Sequence, residues 1–301
     1  MLGLEVGCSM QNREHRKTIL LQGNICICLS NMEGYERLDS HGYTSTIYRL
    51  PGQPPRVCKA FNVDCIDTMF PVERAAYQRF AAHEQPRSIL QYYGVHETIP
   101  AGIILELAPK QDVHAYLWDL KHQHGTSLDS ATLYRWAAQA AEALEFAHSV
   151  GVFNSDIHCV NLFLDDDLNL KVGDWAGASI DGSRPMCTYR LRHRLFEADG
   201  TDVTRTKGVG PSTEIFALGT AIYYMVTVQD PWPDLREGDD QEEIKRKLIE
   251  QEFPDTKMLP DLGEVCRRCW HIEFKTMREV KQAIEAERDQ RFSTTAAIHL
   301  V

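Results

Sequence analysis

The chain has 301 residues, of which 43% are hydrophobic and 25% charged, the balance of an ordinary folded protein rather than a collagenous, mucin-like or wholly disordered one. Its length suits one large domain or two lobes. A formal net charge of −11 repels phosphate backbones and anionic lipid surfaces, so neither nucleic acid nor membrane is an expected partner.

The nine cysteines form no dense framework, which points to a reducing compartment and an intracellular, cytoplasmic setting. Residues 1–35 open with a polar, basic stretch (Gln11 to Lys17), followed by an apolar run from Ile19 to Leu29 that Gln22 and Asn24 interrupt. That run is too short to span a bilayer. No small-residue cleavage site follows it, and Leu2 rather than glycine follows Met1, so neither a secretory nor a myristoylation signal is expected. This extension carries no chemistry that can be assigned.

From Leu38 the texture changes. Ser45–Leu50 and Arg56–Phe61 read as strands joined through the turn Pro51-Gly52-Gln53-Pro54-Pro55. The apolar spacing of Val72, Ala75, Ala76 and Phe80 predicts a helix over Pro71–Ala82, with the proline in its first turn. Ile89–Val95 and Gly102–Leu107 read as two further strands. Helices are then expected over Val113–Leu120 and Asp129–Ser149, the second with a long apolar face containing Leu133, Trp136, Ala140 and Leu144. A polar loop, Asn154 to Asn161, leads into a strand pair, Leu162–Leu164 and Leu168–Val172. Helices follow over Thr213–Val228, Asp240–Gln251, Leu262–Trp270 and Lys275–Ala286, and the Gly/Thr/Asp-rich stretch Glu197–Pro211 reads as a mobile loop. The fold class is therefore α+β and two-lobed: a small antiparallel sheet with one helix over 36–107, a larger, mostly helical lobe over 108–292, and a tail over 293–301. Cys266 and Cys269 have zinc-ligand spacing with His271 nearby, but no second pair completes a tetrahedral site. Cys269-Trp270 reads as core packing.

The chemistry is concentrated in Asn154-Ser155-Asp156-Ile157-His158-Cys159-Val160-Asn161, which has the D-x-x-x-x-N spacing of phosphoryl-transfer loops. Asp156 can orient an attacking hydroxyl and accept its proton, while the neutral oxygen of Asn161 helps to hold a metal ion. A second carboxylate, Asp174 in Gly173-Asp174-Trp175-Ala176-Gly177, follows a strand directly, where a magnesium ion bridging phosphates would sit. Each residue taken singly is unremarkable. Their order between the right elements, together with Lys59 and Glu73, carries the reading.

With those residues the chain resembles the eukaryotic protein kinase family, in particular its compact, divergent fungal members, over roughly residues 36–290. The resemblance implies that Lys59 in Val57-Cys58-Lys59-Ala60-Phe61 neutralises the α and β phosphates of ATP and that Glu73 pairs with it. It implies that Ile104-Leu105-Glu106-Leu107-Ala108-Pro109 is the hinge, with Leu105 as gatekeeper and the backbone of Glu106 and Leu107 offered to adenine. Gly42 and Ile47 then belong to the ATP roof, and Thr213-Glu214-Ile215-Phe216-Ala217-Leu218-Gly219 starts the central helix. The implied ligands are ATP with Mg2+, or Mn2+ in its place. The implied function is transfer of the γ-phosphoryl group to a Ser or Thr hydroxyl of a protein.

The departures from the family pattern are specific. Only Gly42 survives of the three glycines expected around Ser40-His41-Gly42-Tyr43-Thr44-Ser45; Asn154-Ser155-Asp156 replaces His-Arg-Asp, Asp174-Trp175-Ala176 replaces Asp-Phe-Gly, and Glu214 stands for the usual aspartate. His158 takes the place of the lysine common in Ser/Thr kinases. No Ala-Pro-Glu follows, Gly210-Pro211-Ser212 being at best a remnant. Trp175 is expected to pack under the helix carrying Glu73. Two other readings stay open: a pseudokinase scaffold that binds nucleotide or a partner protein without transfer, and a small-molecule kinase of the aminoglycoside-phosphotransferase type. Glu214–Gly219 and Cys269-Trp270 weigh against the latter.

Overall fold

Alternating, β-branched Ser45–Leu50 and Arg56–Phe61 pair as strands β2 and β3 across the proline-rich turn, in the register Ile47↔Lys59 and Leu50↔Arg56. The computed structural model describes residues 35–38, 44–99 and 101–298, with side chains as far as 293. With β1 (Glu36–Leu38), β4 (Tyr92–Val95) and β5 (Gly102–Glu106), the hairpin forms an antiparallel sheet of order β1-β2-β3-β5-β4. Helix α1 (Met69–Ala81) lies against it, with Glu73, Ala76, Tyr77 and Phe80 buried along one face. Gly42 and its neighbours in 39–43 fall outside the described residues, as do residues 1–34.

The strand expected over Ile89–Val95 is shorter, because the chain changes partner within the apolar run. Ile89 bridges to Val172, and Leu90 N–H donates to Val172 O (3.2 Å) while Val172 N–H donates to Ser88 O (2.7 Å). Those residues therefore fasten the sheet lobe to the helical lobe, and only Tyr92–Val95 joins the sheet.

The second lobe is built on α2 (Val113–His122), α3 (Ser130–Ser149) and α5 (Pro211–Thr227). Asp112 and Asp129 cap the first two by accepting from Ala115 N–H and Thr132 N–H, both at 2.9 Å. Helix α5 is buried from Thr213 to Met225, so it is a core helix enclosed on every side, with Glu214 and Thr220 among its buried polar groups. Each large apolar side chain there contributes about 1.5–3 kcal/mol through burial. Helix α7 (Gly263–Trp270) packs on it so closely that a Cβ on Gly219 would lie 2.5 Å from Cys269 Cβ, and Trp270 Nε1 donates to Thr220 Oγ1 (3.0 Å). Cys266 and Cys269 are fully buried, and burial pushes both thiols up, which makes them apolar packing groups at neutral pH.

Short pairs β6 (Val152–Phe153) with β9 (Ser179–Ile180), and β7 (Leu162–Leu164) with β8 (Leu170–Val172), frame the polar loop. The stretch expected to be a mobile loop over Glu197–Pro211 contains α4 (Val203–Lys207), capped by Asp202, whose Oδ1 accepts from Thr204 N–H at 2.9 Å. In Gly210-Pro211-Ser212, Gly210 caps α5 and Pro211 occupies its first turn. Helix α6 (Gln241–Ile249) follows, and α8 (Met277–Ile298) runs well past the expected Ala286. Among the described residues no helix is long and apolar enough to cross a membrane.

Candidate active site

Strand β3 turns Lys59 inward on the face shared with Val57, and cross-strand pairing puts Ile47, Ile103 and Leu105 on that same face. The Lys59 ammonium lies 2.7 Å from Glu73 Oε2 and 2.7 Å from Asp174 Oδ1, with only 7% of its side chain exposed. Burial by itself would lower the Lys59 ammonium, but the carboxylates of Asp174 and Glu73 hold it above its ordinary range. Burial pushes the Glu73 carboxyl up, against the pull of Lys59. For Asp174 burial acts upward too, yet Lys59 draws the carboxyl below its usual range. Lys59 therefore stays charged and Asp174 ionised.

Glu73 is fixed from the other side as well: its Oε1 accepts from Trp175 N–H at 3.2 Å. The indole of Trp175 sits edge-on to Phe80, ring centroids 4.8 Å apart, and so packs beneath α1. The far end of α1 is tied down by Arg79, which makes a bidentate pair with Asp181 (2.6 and 2.8 Å) and donates to Val150 O (3.1 Å). Nothing in the sequence marks that clamp, since its partners are distant in the chain.

Helix α5 positions the polar loop. Buried Glu214 accepts from Ser155 N–H (3.0 Å) through Oε1 and meets His148 Nε2 (2.6 Å) through Oε2. Ser155 adopts a left-handed φ of +67°, and its hydroxyl donates to Gly177 O at 2.6 Å. A Cβ on Gly177 would sit 2.0 Å from Cys187 Sγ, so glycine is required there. Asn154, standing where the family has histidine, bridges two segments: Nδ2 donates to Asp174 O (3.1 Å) and Oδ1 accepts from Asp156 N–H (3.0 Å). A carboxamide can do this because it carries donor and acceptor on one planar group. These roles of Asn154, Ser155 and His148 were not foreseen, although two polar residues beside Asp156 were a signal.

Asp156 itself keeps 31% of its side chain exposed. Asn161 Nδ2 donates to Asp156 O (2.9 Å) and Oδ2 (3.2 Å). His158 Nδ1 accepts from Val160 N–H (3.2 Å), and its Nε2 lies 3.4 Å from Asp156 Oδ2 and 3.3 Å from Asn161 Nδ2. The loop thus holds the carboxylate from one side and leaves the other open.

At the hinge the pattern differs from expectation. The Glu106 N–H donates to Gln91 O (2.9 Å) and the Leu107 N–H to Pro55 O (3.2 Å), because sheet pairing continues through these residues and uses both donors. The hinge N–H that meets no described partner is that of Ala108. The Glu106 side chain is engaged with buried Lys171 at 2.8 Å.

No cluster of three His, Cys, Asp or Glu side chains able to hold a metal occurs among the described residues. Mg2+ needs less from a protein, taking one or two carboxylates and completing its octahedron with phosphate oxygens and water. Asn161 and Asp174 fit that requirement. The Asn161 side-chain nitrogen donates to Asp156, which leaves Oδ1 as the atom that would face a metal, and the Gly173 N–H donates to the Asn161 backbone carbonyl (3.1 Å), holding the two segments together.

A family model described as the protein kinase domain matches residues 58–299. The chain belongs to the protein kinase family. The match begins one residue before Lys59 and takes in the whole of α8. Among curated proteins this kinase domain is similar to the serine/threonine-protein kinase PDK1 of Cryptococcus neoformans, 27% identical over 159 residues, covering 51% of this chain and 12% of that protein. It is similar to the serine/threonine-protein kinase PKH3 of Saccharomyces cerevisiae, 26% identical over 199 residues, covering 61% and 21%. It also resembles the testis-specific serine/threonine-protein kinase 5 of Mus musculus, 24% identical over 230 residues, covering 69% and 60%. The chain spans only between 12% and 60% of the length of these relatives.

Proposed function

We propose that this kinase domain binds ATP with Mg2+ and transfers the γ-phosphoryl group to a Ser or Thr hydroxyl of a protein. One observation carries the reading: Lys59 contacts Glu73 and Asp174 at once, 2.7 Å from each, so the cation for the phosphates and the carboxylate for the metal are assembled without rearrangement. The three relatives named above are all serine/threonine kinases by name, which supports the hydroxyl acceptor. In this reading Asp156 orients the acceptor hydroxyl and takes its proton, while Asn161 and His158 keep the carboxylate aimed. Mg2+ bound by Asn161 and Asp174 would neutralise phosphate charge. The adenine would meet the hinge at the Glu106 carbonyl and the Ala108 N–H, under Ile47 and Leu105.

Ordering of the activation segment requires no phosphate in this reading. Ser155 fixes the segment through Gly177 O, and Arg192 is committed to Pro231 O (2.9 Å), Leu235 O (2.5 Å) and Glu237 (2.9 Å). Tyr189 and Thr204 are buried. The full chain incubated with γ-labelled ATP, Mg2+ and mixed Ser/Thr protein acceptors is expected to label protein, and prior phosphatase treatment to leave the rate unchanged. Loss of activity on dephosphorylation would mean that a modified residue orders the segment after all. Thr188 is then the first candidate, since Arg194 Nη2 lies 3.3 Å from its hydroxyl. ATP binding without labelling of any acceptor would replace transfer with a scaffold role.

A further inference from the structure

A cavity of about 400 Å3 opens between the turn at Leu191–Arg194, helix α4 and helix α6. Its walls carry three cations, Arg194, Arg205 and Lys245, against two acids, Asp202 and Glu242. It is a local reversal of sign on a chain of net charge −11. Asp202 is buried and its Oδ1 is occupied in capping α4. Its Oδ2 accepts no hydrogen bond, lying 3.6 Å from Arg194 Nε and 3.8 Å from Arg205 Nε. The acid thus orders two guanidinium groups by charge without consuming their donors. Arg205 keeps 76% of its side chain exposed. Lys245 forms no ion pair or hydrogen bond with any described residue, its ammonium standing 5.6 Å over the Phe196 ring. Two cations with spare donors, on an apolar floor of Phe196, make a receptor for an anion that arrives on a carbon stem.

The position of the cavity says what would bring that anion. The turn at its edge contains His193, whose ring packs edge-on against His158 at 6.1 Å, and His158 lies beside Asp156. The cavity therefore adjoins the ground that an acceptor polypeptide must cross. Resting on the functional reading above, we propose that this cavity is a specificity site for an anionic side chain, a carboxylate or a phosphorylated hydroxyl, of the acceptor polypeptide near its target residue. Arg205 and Lys245 bind the anion, Arg194 is held in reserve by Tyr189 O and Asp202, and Glu242 sets the rim.

Fluorescence anisotropy on the full chain tests this without requiring transfer. Labelled serine peptides that differ only by glutamate, phosphoserine or glutamine at a scanned flanking position are compared on the parent and on an Arg205→Gln/Lys245→Gln variant. At the best position the anionic peptides are expected to bind about tenfold more tightly than the glutamine peptide, about 1.4 kcal/mol, and the gap is expected to close in the variant and to shrink with added salt. A larger gap for phosphoserine identifies a phosphorylated acceptor, and a larger gap for glutamate an acidic one. Equal binding of all three peptides, or a gap that persists in the variant, overturns the proposal. Both residues are at least partly exposed, so an unchanged melting temperature is the check on folding. Discrimination by the parent without phosphate transfer to any peptide leaves this site standing and removes the transfer reading instead.

Discussion

Asp156→Asn is expected to lower phosphoryl transfer by about 10²- to 10⁴-fold, the usual contribution of a general base, while leaving Mg2+-dependent ATP binding intact. The exchange preserves the shape of the side chain, and an amide oxygen can still accept from Asn161 Nδ2, which lies 3.2 Å away. What is lost is the acceptor for the hydroxyl proton, a group needed in the transition state and hardly at all for holding ATP. Asp174→Asn is expected to differ in kind. It removes one of the two carboxylates on Lys59 and replaces a charged oxygen with a neutral one that a hard cation binds less well, so transfer and nucleotide binding should fall together. Paired rate and binding measurements on both variants check this. Equal nucleotide affinity in Asp174→Asn and parent, with Mg2+ present, contradicts the assigned metal site.

Glu214→Ala is expected to be the most damaging single change outside the catalytic residues. The carboxylate is fully buried and meets Ser155 N–H at 3.0 Å and His148 Nε2 at 2.6 Å. Truncation leaves the Ser155 N–H buried without a partner and takes the carboxylate from half-buried His148, at a cost of about 3 kcal/mol, or a fall in melting temperature of about 6–10 °C for a domain of this size. Because Ser155 precedes Asp156, transfer should fall further than stability alone explains. Glu214→Gln, which keeps an acceptor for Ser155, should lose roughly half as much stability. A melting temperature unchanged in Glu214→Ala would show that the loop is held by something else.

The strand and helix positions around Lys59, Glu73, Asp156, Asn161 and Asp174 were legible because each depends on local pattern: alternation in β3, helical spacing in α1, and a fixed interval within one loop. Features that depend on which distant segment arrives were not. Ile89 and Leu90 continue an apolar strand pattern, yet they bond to Val172 in the other lobe. The hinge donors of Glu106 and Leu107 are consumed by Gln91 and Pro55, and periodicity says nothing about spare donors. Asn154 and Ser155 read as departures from the family pattern, whereas both carry bonds that hold the Asp156 loop to the Asp174–Gly177 segment. The Arg79–Asp181 clamp joins residues 102 positions apart, a pairing no single sequence discloses. Helix α4 was hidden because Gly, Thr and Asp suggest a loop, although Asp202 is also a good N-cap.

The most direct test of the account is thermal melting of the full chain with ATP and Mg2+, compared with adenosine, in parent and Lys59→Met. A ligand at 100 times its dissociation constant stabilises by about 2.7 kcal/mol, so the parent should melt several degrees higher with ATP and Mg2+, and the gain should shrink when Mg2+ is withheld. Lys59→Met deletes the cation proposed to meet the phosphates and spares the apolar face around Ile47 and Leu105, so the ATP shift should collapse while the smaller adenosine shift persists. No shift with ATP in the parent, or equal loss of the ATP and adenosine shifts in Lys59→Met, would contradict the assignment of this cleft as a nucleotide site built on Lys59.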